Sequence, residues 1–266
     1  MRNKAYLAFI ISLILFVNFW LTSCGLEKTE EIKFREKEIE VFLKKAPIVA
    51  KKVSPEGGRT APWKITLDDG RMRRDAHFKY IDRSRPSALA DSYKYEIAAY
   101  RLNRLLGLDY VPPVVEREIE GMKGSLQVFA EGINENERKR RGLEPPDIEH
   151  FQNTIDDIKI FENLVYEEDC LDADDTIIEI KNWKIWRVDF SRAFAPENEL
   201  LPGCGIERCS KKFFNALQSV DNKTIRKELS SLLNNEEVKA LLVRKKLILE
   251  RIKALIKEKG EEAVLF

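Results

Sequence analysis

The stretch DAHFKYIDRSRPSALADSYKYEIAAYRLNRLLG, residues 75–107, changes its hydrophobic period part-way along, and that change decides how the chain folds. Over Asp75 to Ile81 apolar and polar residues alternate, the period-two pattern of a strand with one buried face. From Asp91 to Leu106 the residues Tyr95, Ala98, Ala99, Leu102, Leu105 and Leu106 share one face of a helix, and Gly107 supplies its stop.

On the N-terminal side, Pro47 to Val53 and Pro62 to Leu67 read as strands joined through a turn at Ser54 to Gly58. Asp68-Asp69-Gly70 is a hairpin signal leading into the strand at Asp75. On the C-terminal side, Val111 to Glu118 and Gly124 to Ala130 read as two more strands about the turn Glu120-Gly121. Residues 46–132 therefore read β-β-β-α-β-β.

The second half, residues 133–266, is predicted to be mainly helical. Asn134 to Pro146 is charged and interrupted by Gly142 and two prolines, the pattern of an exposed insertion. A helix over about Asp147 to Val165 is followed by the acidic stretch Tyr166 to Asp175 and a strand pair, Thr176 to Ile180 and Trp183 to Val188. A loop runs to about Glu207, and helices are expected at Arg208–Leu217, Asn222–Leu233 and Glu236–Glu258. The predicted class is α+β, an N-terminal antiparallel sheet with one helix before a mainly helical C-terminal half.

The first residues carry a different signal. Arg2 and Lys4 precede the apolar run Ala5 to Leu21, broken only by Ser12 and Asn18, and no acid occurs before Glu27. A basic start, an apolar core and small residues make a secretory leader, excluded from the fold. Leu21-Thr22-Ser23-Cys24-Gly25 resembles the bacterial lipobox, which implies a signal peptide over 1–23 and acylation of Cys24 by palmitate-like chains. Each buried CH₂ contributes about 0.8 kcal/mol, so the lipid bilayer becomes the chain's first partner. The alternative is an uncleaved membrane anchor, because the run approaches the roughly 17–25 residues that span a bilayer. Either way the rest of the chain is tethered to a membrane, and the lipoprotein reading places the domain outside the cytoplasm, in the cell envelope. Gly25, in place of the aspartate associated with inner-membrane retention, favours an outer membrane where one exists. Residues 24–45 then form a tether ending in a charged helix, with Ile32, Ile39, Phe42 and Leu43 at helical spacing.

Composition narrows the partners. The chain has 46 Lys+Arg and 45 Asp+Glu; without Arg2 and Lys4 the balance is 44 to 45. Nucleic acid binding thus has no electrostatic footing. Beyond Cys24 the cysteines are Cys170, Cys204 and Cys209. Cys204 and Cys209 can close a small disulfide loop, leaving Cys170 as a thiol, or all three stay reduced. Only His77 and His150 exist and no Cys-x-x-Cys occurs, so zinc is not expected.

The chemistry-bearing residues form an ordered set. Phosphoryl transfer asks for a cation on donor phosphates, a carboxylate to fix that cation, magnesium ligands and a base for the acceptor hydroxyl. Lys79, late in the third strand, is a candidate cation, and Glu96 on the next helix its partner. Asp189 in Val188-Asp189-Phe190-Ser191 follows an apolar strand and is placed to hold metal. Asp169, twenty residues earlier, is placed to act as the base. Gly57-Gly58-Arg59-Thr60 joins two strands and offers backbone N–H groups to phosphate. Taken singly, each of these reads as an ordinary strand, helix or loop residue; it is their order that points to a site. Trp183, Trp186 and Phe190 read as core, and His77 and His150 as residues without catalytic part.

This set resembles a bacterial group of kinase-like proteins related to HipA-type kinases, phosphatidylinositol kinases and Golgi secretory-pathway kinases. It is carried by Gly58-Arg59-Thr60, Ala76-His77-Phe78-Lys79, the run Tyr95 to Leu102, Leu106-Gly107-Leu108, Val111 to Arg117, Gly124 to Gln127 and Trp186 to Phe194. The resemblance spans Phe42 to Phe194 and implies a two-lobed protein-kinase-like fold, with lobes over 46–132 and 133–266. It implies ATP contacted by Lys79, Glu96, Gly57, Gly58 and Thr60, Mg²⁺ or another divalent cation held by Asp174 and Asp189, and Asp169 as catalytic base. The family's loop, approximately Asn-x-Asp-Arg-x-x-Gly-Asn, is altered: Cys170 stands at the arginine and Asp174 at the metal-binding asparagine. Glu167, Glu168, Asp169, Asp172, Asp174 and Asp175 crowd that loop. Like charge raises carboxylate pKa values, favours a divalent cation and repels an unneutralised nucleotide. The altered loop implies an atypical or degenerate kinase, a pseudokinase or non-catalytic scaffold; an active phosphotransferase and a simple cation-binding protein are the further readings.

Overall fold

The computed structural model describes residues 36–53, 62–83, 85 and 90–266. The leader, Cys24, Gly57, Gly58 and Thr60 lie outside the described residues. Among the described residues no helix is long and apolar enough to cross a membrane.

Residues 36–45 are helical, α1. Three strands follow, β1 (Ile48–Val53), β2 (Trp63–Asp68) and β3 (Arg73–Lys79), and the short pair β4 (Asp82–Arg83) and β5 (Asp91–Ser92). Helix α2 (Tyr93–Leu105) precedes β6 (Val114–Ile119) and β7 (Met122–Val128). The third strand ends at Lys79 rather than Ile81, and β6 starts at Val114 because Pro112 and Pro113 have no N–H to give a ladder. These strands form one antiparallel five-stranded sheet in the order β1-β2-β3-β7-β6. The β2–β3 turn is held by Asp68 and Asp69, whose carboxylates accept from the backbone N–H groups of Gly70, Arg71 and Met72.

The register sorts the sheet into two faces. Ile65 lies opposite Ala76, Trp63 opposite Phe78, and Leu126 opposite both Phe78 and Val115. That face is buried under Phe42 and Leu43 of α1 and Ala46 just after it, and forms one core. The opposite face carries His77 across from Gln127, and Lys79 across from Ser125.

The second half begins with β8 (Ile133–Asn134) and α3 (Glu135–Arg140). The expected exposed insertion is thus partly ordered. Asn134 caps α3 by accepting from Glu137 N–H, and β8 pairs with β9 (Thr176–Glu179), which pairs with β10 (Lys184–Arg187). Helix α4 (Ile148–Val165) stops at Tyr166, in left-handed backbone with φ 52°. Helices α5 (Lys211–Ser219), α6 (Asn222–Leu229), α7 (Asn235–Lys259) and α8 (Glu261–Val264) complete the chain. Asn234 and Glu237 form a capping box on α7, which explains how so long a helix starts where it does.

A second core unites α2 with α4, α5, α6 and α7. The architecture is mixed α+β, a five-stranded antiparallel sheet joined to helices, with α2 seated between the sheet and the helical half.

The cysteine pairing differs from both expectations. Cys170 and Cys204 form the disulfide, with Cα atoms 6.0 Å apart, and Cys209 is a buried thiol. A short sequence spacing allows Cys204–Cys209, but Cys209 is drawn into a bridge with Leu265 and faces Asp157 instead. A disulfide of this kind fits an oxidising compartment.

Candidate functional site

Lys79 stands at the end of β3, on the face away from α1. Its Nζ donates to Glu96 Oε1 at 2.5 Å and to Asp189 Oδ1 at 2.7 Å. Three elements converge on this one ammonium: β3, α2 and the turn after β10. Glu96 is pointed inward because α2 buries that face, starting from the Ser92 cap that accepts from Lys94 N–H.

The electrostatics of the triad are uneven. Burial alone would lower Lys79, but Glu96 and Asp189 outweigh it and raise the ammonium above the ordinary lysine value. Burial raises the Glu96 carboxyl more than Lys79 lowers it, and the Asp189 charge adds to the rise. Glu96 Oε2 is buried with no hydrogen-bond partner among the described residues. Asp189 is the opposite case. Its side chain is still 47% exposed, and what burial it has is overcome by Lys79 and by hydrogen bonds from Lys79 and Ser191, which hold its carboxyl at about 2. It is ionised at any ordinary pH. Its backbone sits at φ 60°, a conformation aspartate tolerates better than most residues.

Beside the triad opens a cleft of about 460 Å³ between β3, β7 and the β8–β10 sheet. Lys79, Asp174, Asp175 and Asp189 form its charged end; Phe129, Ile177 and Val188 are among its apolar walls. His77 also lines it, edge-on to Phe129 at 5.0 Å between centroids. Of the sequence-predicted residues, Lys79, Glu96, Asp174 and Asp189 are therefore brought together.

Asp169 is not. Its carboxylate accepts from Arg192 Nη2 at 2.7 Å, both side chains are about half exposed (49% and 48%), and it does not line the cleft. Asp174 lines the cleft, yet its Oδ1 accepts from the side-chain amides of Asn134 (3.0 Å) and Asn136 (2.9 Å). Asp175, one of the crowded acids of the loop, lines the cleft as well. Burial first, then the Asp189 charge, push its carboxyl up to about 7, against the pull of Arg187. The crowding of acids was visible beforehand; which acid faced Asp189 was not.

Compared with protein-family models and with curated proteins, the chain matches none.

The acidic loop is held from below. Glu162 of α4 and Arg187 of β10 form an ion pair, Nε to Oε1 2.5 Å, with side chains 0% and 1% exposed. Glu162 Oε2 also accepts from Leu171 N–H, and Arg187 Nη1 donates to Asp172 O and Thr176 Oγ1. The Cys170–Cys204 disulfide fastens the same loop to the segment that follows Leu201. Glu162, Cys170 and Cys204 lie close enough to suggest a metal cluster. The sulfurs are bonded to each other and the carboxylate is taken by Arg187, so the chemistry is a clamp instead. Glu167 is buried, its Oε2 lacks a partner among the described residues, and burial raises it well above the carboxylate range.

Phe190 is core, edge-on to Phe161 at 5.8 Å, whereas Trp183 and Trp186 are half-buried. His150 is exposed on α4.

Proposed function

We propose that this chain is a lipid-anchored protein of the cell envelope whose two-lobed, kinase-like domain binds a nucleotide together with a divalent cation. One observation carries the reading: Lys79 Nζ bridges Glu96 and Asp189 at the charged end of a cleft with apolar walls. A cation fixed by a buried carboxylate suits donor phosphates, and the ionised Asp189 beside Asp175 suits magnesium. Phe129, Ile177 and Val188 offer the apolar surface that a base would need. Asp175 and Asp189 would be the metal ligands nearest the phosphates, with Asp174 fixing the loop through Asn134 and Asn136. A cation arriving at Asp175 displaces its proton, so binding weakens as pH falls below about 7. The disulfide is in keeping with an exported domain, and the lipobox with an anchor at Cys24.

A second reading is a binding protein or scaffold without transfer. It is favoured by the engagement of Asp169 with Arg192 and by its place away from the cleft. Cys170 is bound in the disulfide instead of serving as the arginine of an active loop.

The test is thermal stability of the protein titrated with ATP and Mg²⁺. Ligand that binds only the folded state stabilises it by about 2.7 kcal/mol at a hundredfold excess over Kd. The shift is expected to vanish in Lys79→Ala and Asp189→Asn. Absence of a shift with every nucleotide–metal pair overturns the nucleotide reading. A shift without phosphate release or transfer selects the second reading. A shift with Mg²⁺ alone, lost in Asp175→Asn, leaves simple cation binding.

A further inference from the structure

We infer that the face built by α1, β1 and the β2–β3 turn lies against an anionic lipid surface, so that the domain docks on the bilayer in one orientation. The inference rests on the Cys24 anchor proposed above and adds to it a second, non-covalent contact.

The large apolar side chains left exposed are few, and they are concentrated. Of six such residues among those described, four lie within the first eighteen: Val41, Ile48, Val49 and Val53, at 46%, 37%, 51% and 60% exposure. Strand β1 ends the five-stranded sheet, is exposed along its whole length, and has no neighbour on its outer edge among the described residues. Singly exposed aliphatics need no explanation, but a cluster of them marks a contact.

The register puts three of the four on one side. Ile48 lies opposite Leu67 and Val53 opposite Trp63, on the same face as Ile65, which α1 covers. Side chains directly opposite on paired strands share a face. Val41 of α1 borders an open groove of about 760 Å³ on that side, between α1 and the β2–β3 turn, with Pro47 and Met72 as further apolar walls.

Charge on this face favours anionic headgroups. Lys37, Lys45 and Arg71 line the groove, and none of them is in an ion pair among the described residues. The acids there are Glu38 and Asp69, and Asp69 is occupied by the N–H groups of Arg71 and Met72. Glu36 and Glu40 of α1 are turned to Arg104 and so are drawn away from the cations. Basic residues with interspersed aliphatics are what an interfacial surface presents to a bilayer.

The chain path agrees. Glu36, the first described residue, is twelve positions after Cys24. Those residues reach at most about 40 Å, at roughly 3.3–3.6 Å each. A lipid on Cys24 therefore keeps α1 within one domain diameter of the headgroups.

The experiment uses the acylated protein reconstituted in vesicles of phosphatidylethanolamine and phosphatidylglycerol at 3:1, with phosphatidylcholine vesicles for comparison. An environment-sensitive fluorophore is placed on Val41→Cys, Val53→Cys or, as the remote control on α7, Val243→Cys. Brominated lipid is expected to quench positions 41 and 53 in anionic vesicles, with much weaker quenching in neutral ones and none at 243. Lys45→Glu should lower the bilayer-contacting population at position 41 about fivefold or more, since each basic residue near such a surface contributes about 1 kcal/mol. Protein that floats with the vesicles while positions 41 and 53 stay unquenched overturns the docking face and leaves the anchor standing. Fluorophore self-quenching at 41 and 53 in place of lipid quenching assigns the face to a second copy and overturns it equally. Protein that does not float, with Cys24 unacylated by mass spectrometry, refutes the anchor, and the docking inference falls with it.

Discussion

Replacing Arg187 by methionine is expected to destabilise the fold severely, because Glu162 would be left in a place without water and without the cation that balances its charge. Both side chains are at most 1% exposed, and among the described residues Arg187 is the one cation in hydrogen-bond range of Glu162. Removing one partner of such a pair costs roughly 3–5 kcal/mol. Asp172 O and Thr176 Oγ1 also lose a donor. Asp172 is partly exposed and can turn to water, whereas Thr176 is buried in β9, so about 4 kcal/mol, within that range, is the expected total. For a domain of this size 1 kcal/mol moves Tm by roughly 2–4 °C, which predicts a fall of about 8–16 °C. Urea unfolding followed by tryptophan fluorescence gives the free energy directly. The double variant Glu162→Leu/Arg187→Met should recover most of the loss, since an apolar pair of similar volume is often no worse than a buried ion pair. In the single variant the isolated Glu162 must take up a proton to fold, so its deficit should shrink as pH falls. A loss under 1 kcal/mol, or a double variant as unstable as the two singles summed, would refute the view that this pair is dry and mutually dependent.

Three further outcomes follow from particular groups. Asp175, raised to about 7 in the folded state against 3.8 for the ordinary carboxyl, binds more protons folded than unfolded between those values. Its contribution to stability is full below about pH 4 and is lost as pH rises through about 7, so Asp175→Asn should flatten that decline and be the more stable form at pH 8. Gly124→Ala would place a Cβ 2.3 Å from Lys79 O and 2.7 Å from the Phe78 ring. It should destabilise by roughly 1–3 kcal/mol in denaturant melts and weaken any ligand that uses Lys79. Alkylation of the denatured, unreduced protein should modify Cys209 and leave Cys170 and Cys204 untouched; replacing both of the latter by serine should cost about 2–4 kcal/mol for a loop of 34 residues.

Much of the scaffold was legible in residue order because its signals are local. The period-two strand around Phe78, the amphipathic face of α2 and the Asp68–Gly70 turn depend on neighbours within a few positions. The limits of the strands were less legible. Lys79 ends β3 because pairing with Ser125 is the last rung available, and this depends on a strand more than forty residues away.

The site divides along the same line. Residue type and order by themselves determined that Lys79 sits late in a strand and Glu96 on the helix that comes after it, and that an acidic loop precedes Asp189. Only the tertiary structure decided that Asp175 faces Asp189, that Asp169 turns outward to Arg192, and that Cys170 bonds Cys204 while Cys209 lies buried near Asp157. The physical reason is that six acids within nine positions have equal claims by spacing. What separates them is which one burial and the Asp189 charge act upon, and this is fixed by the way Glu162, Arg187 and the disulfide pin the loop. Those partners lie 25 and 34 residues apart in the chain, beyond the reach of any periodic pattern.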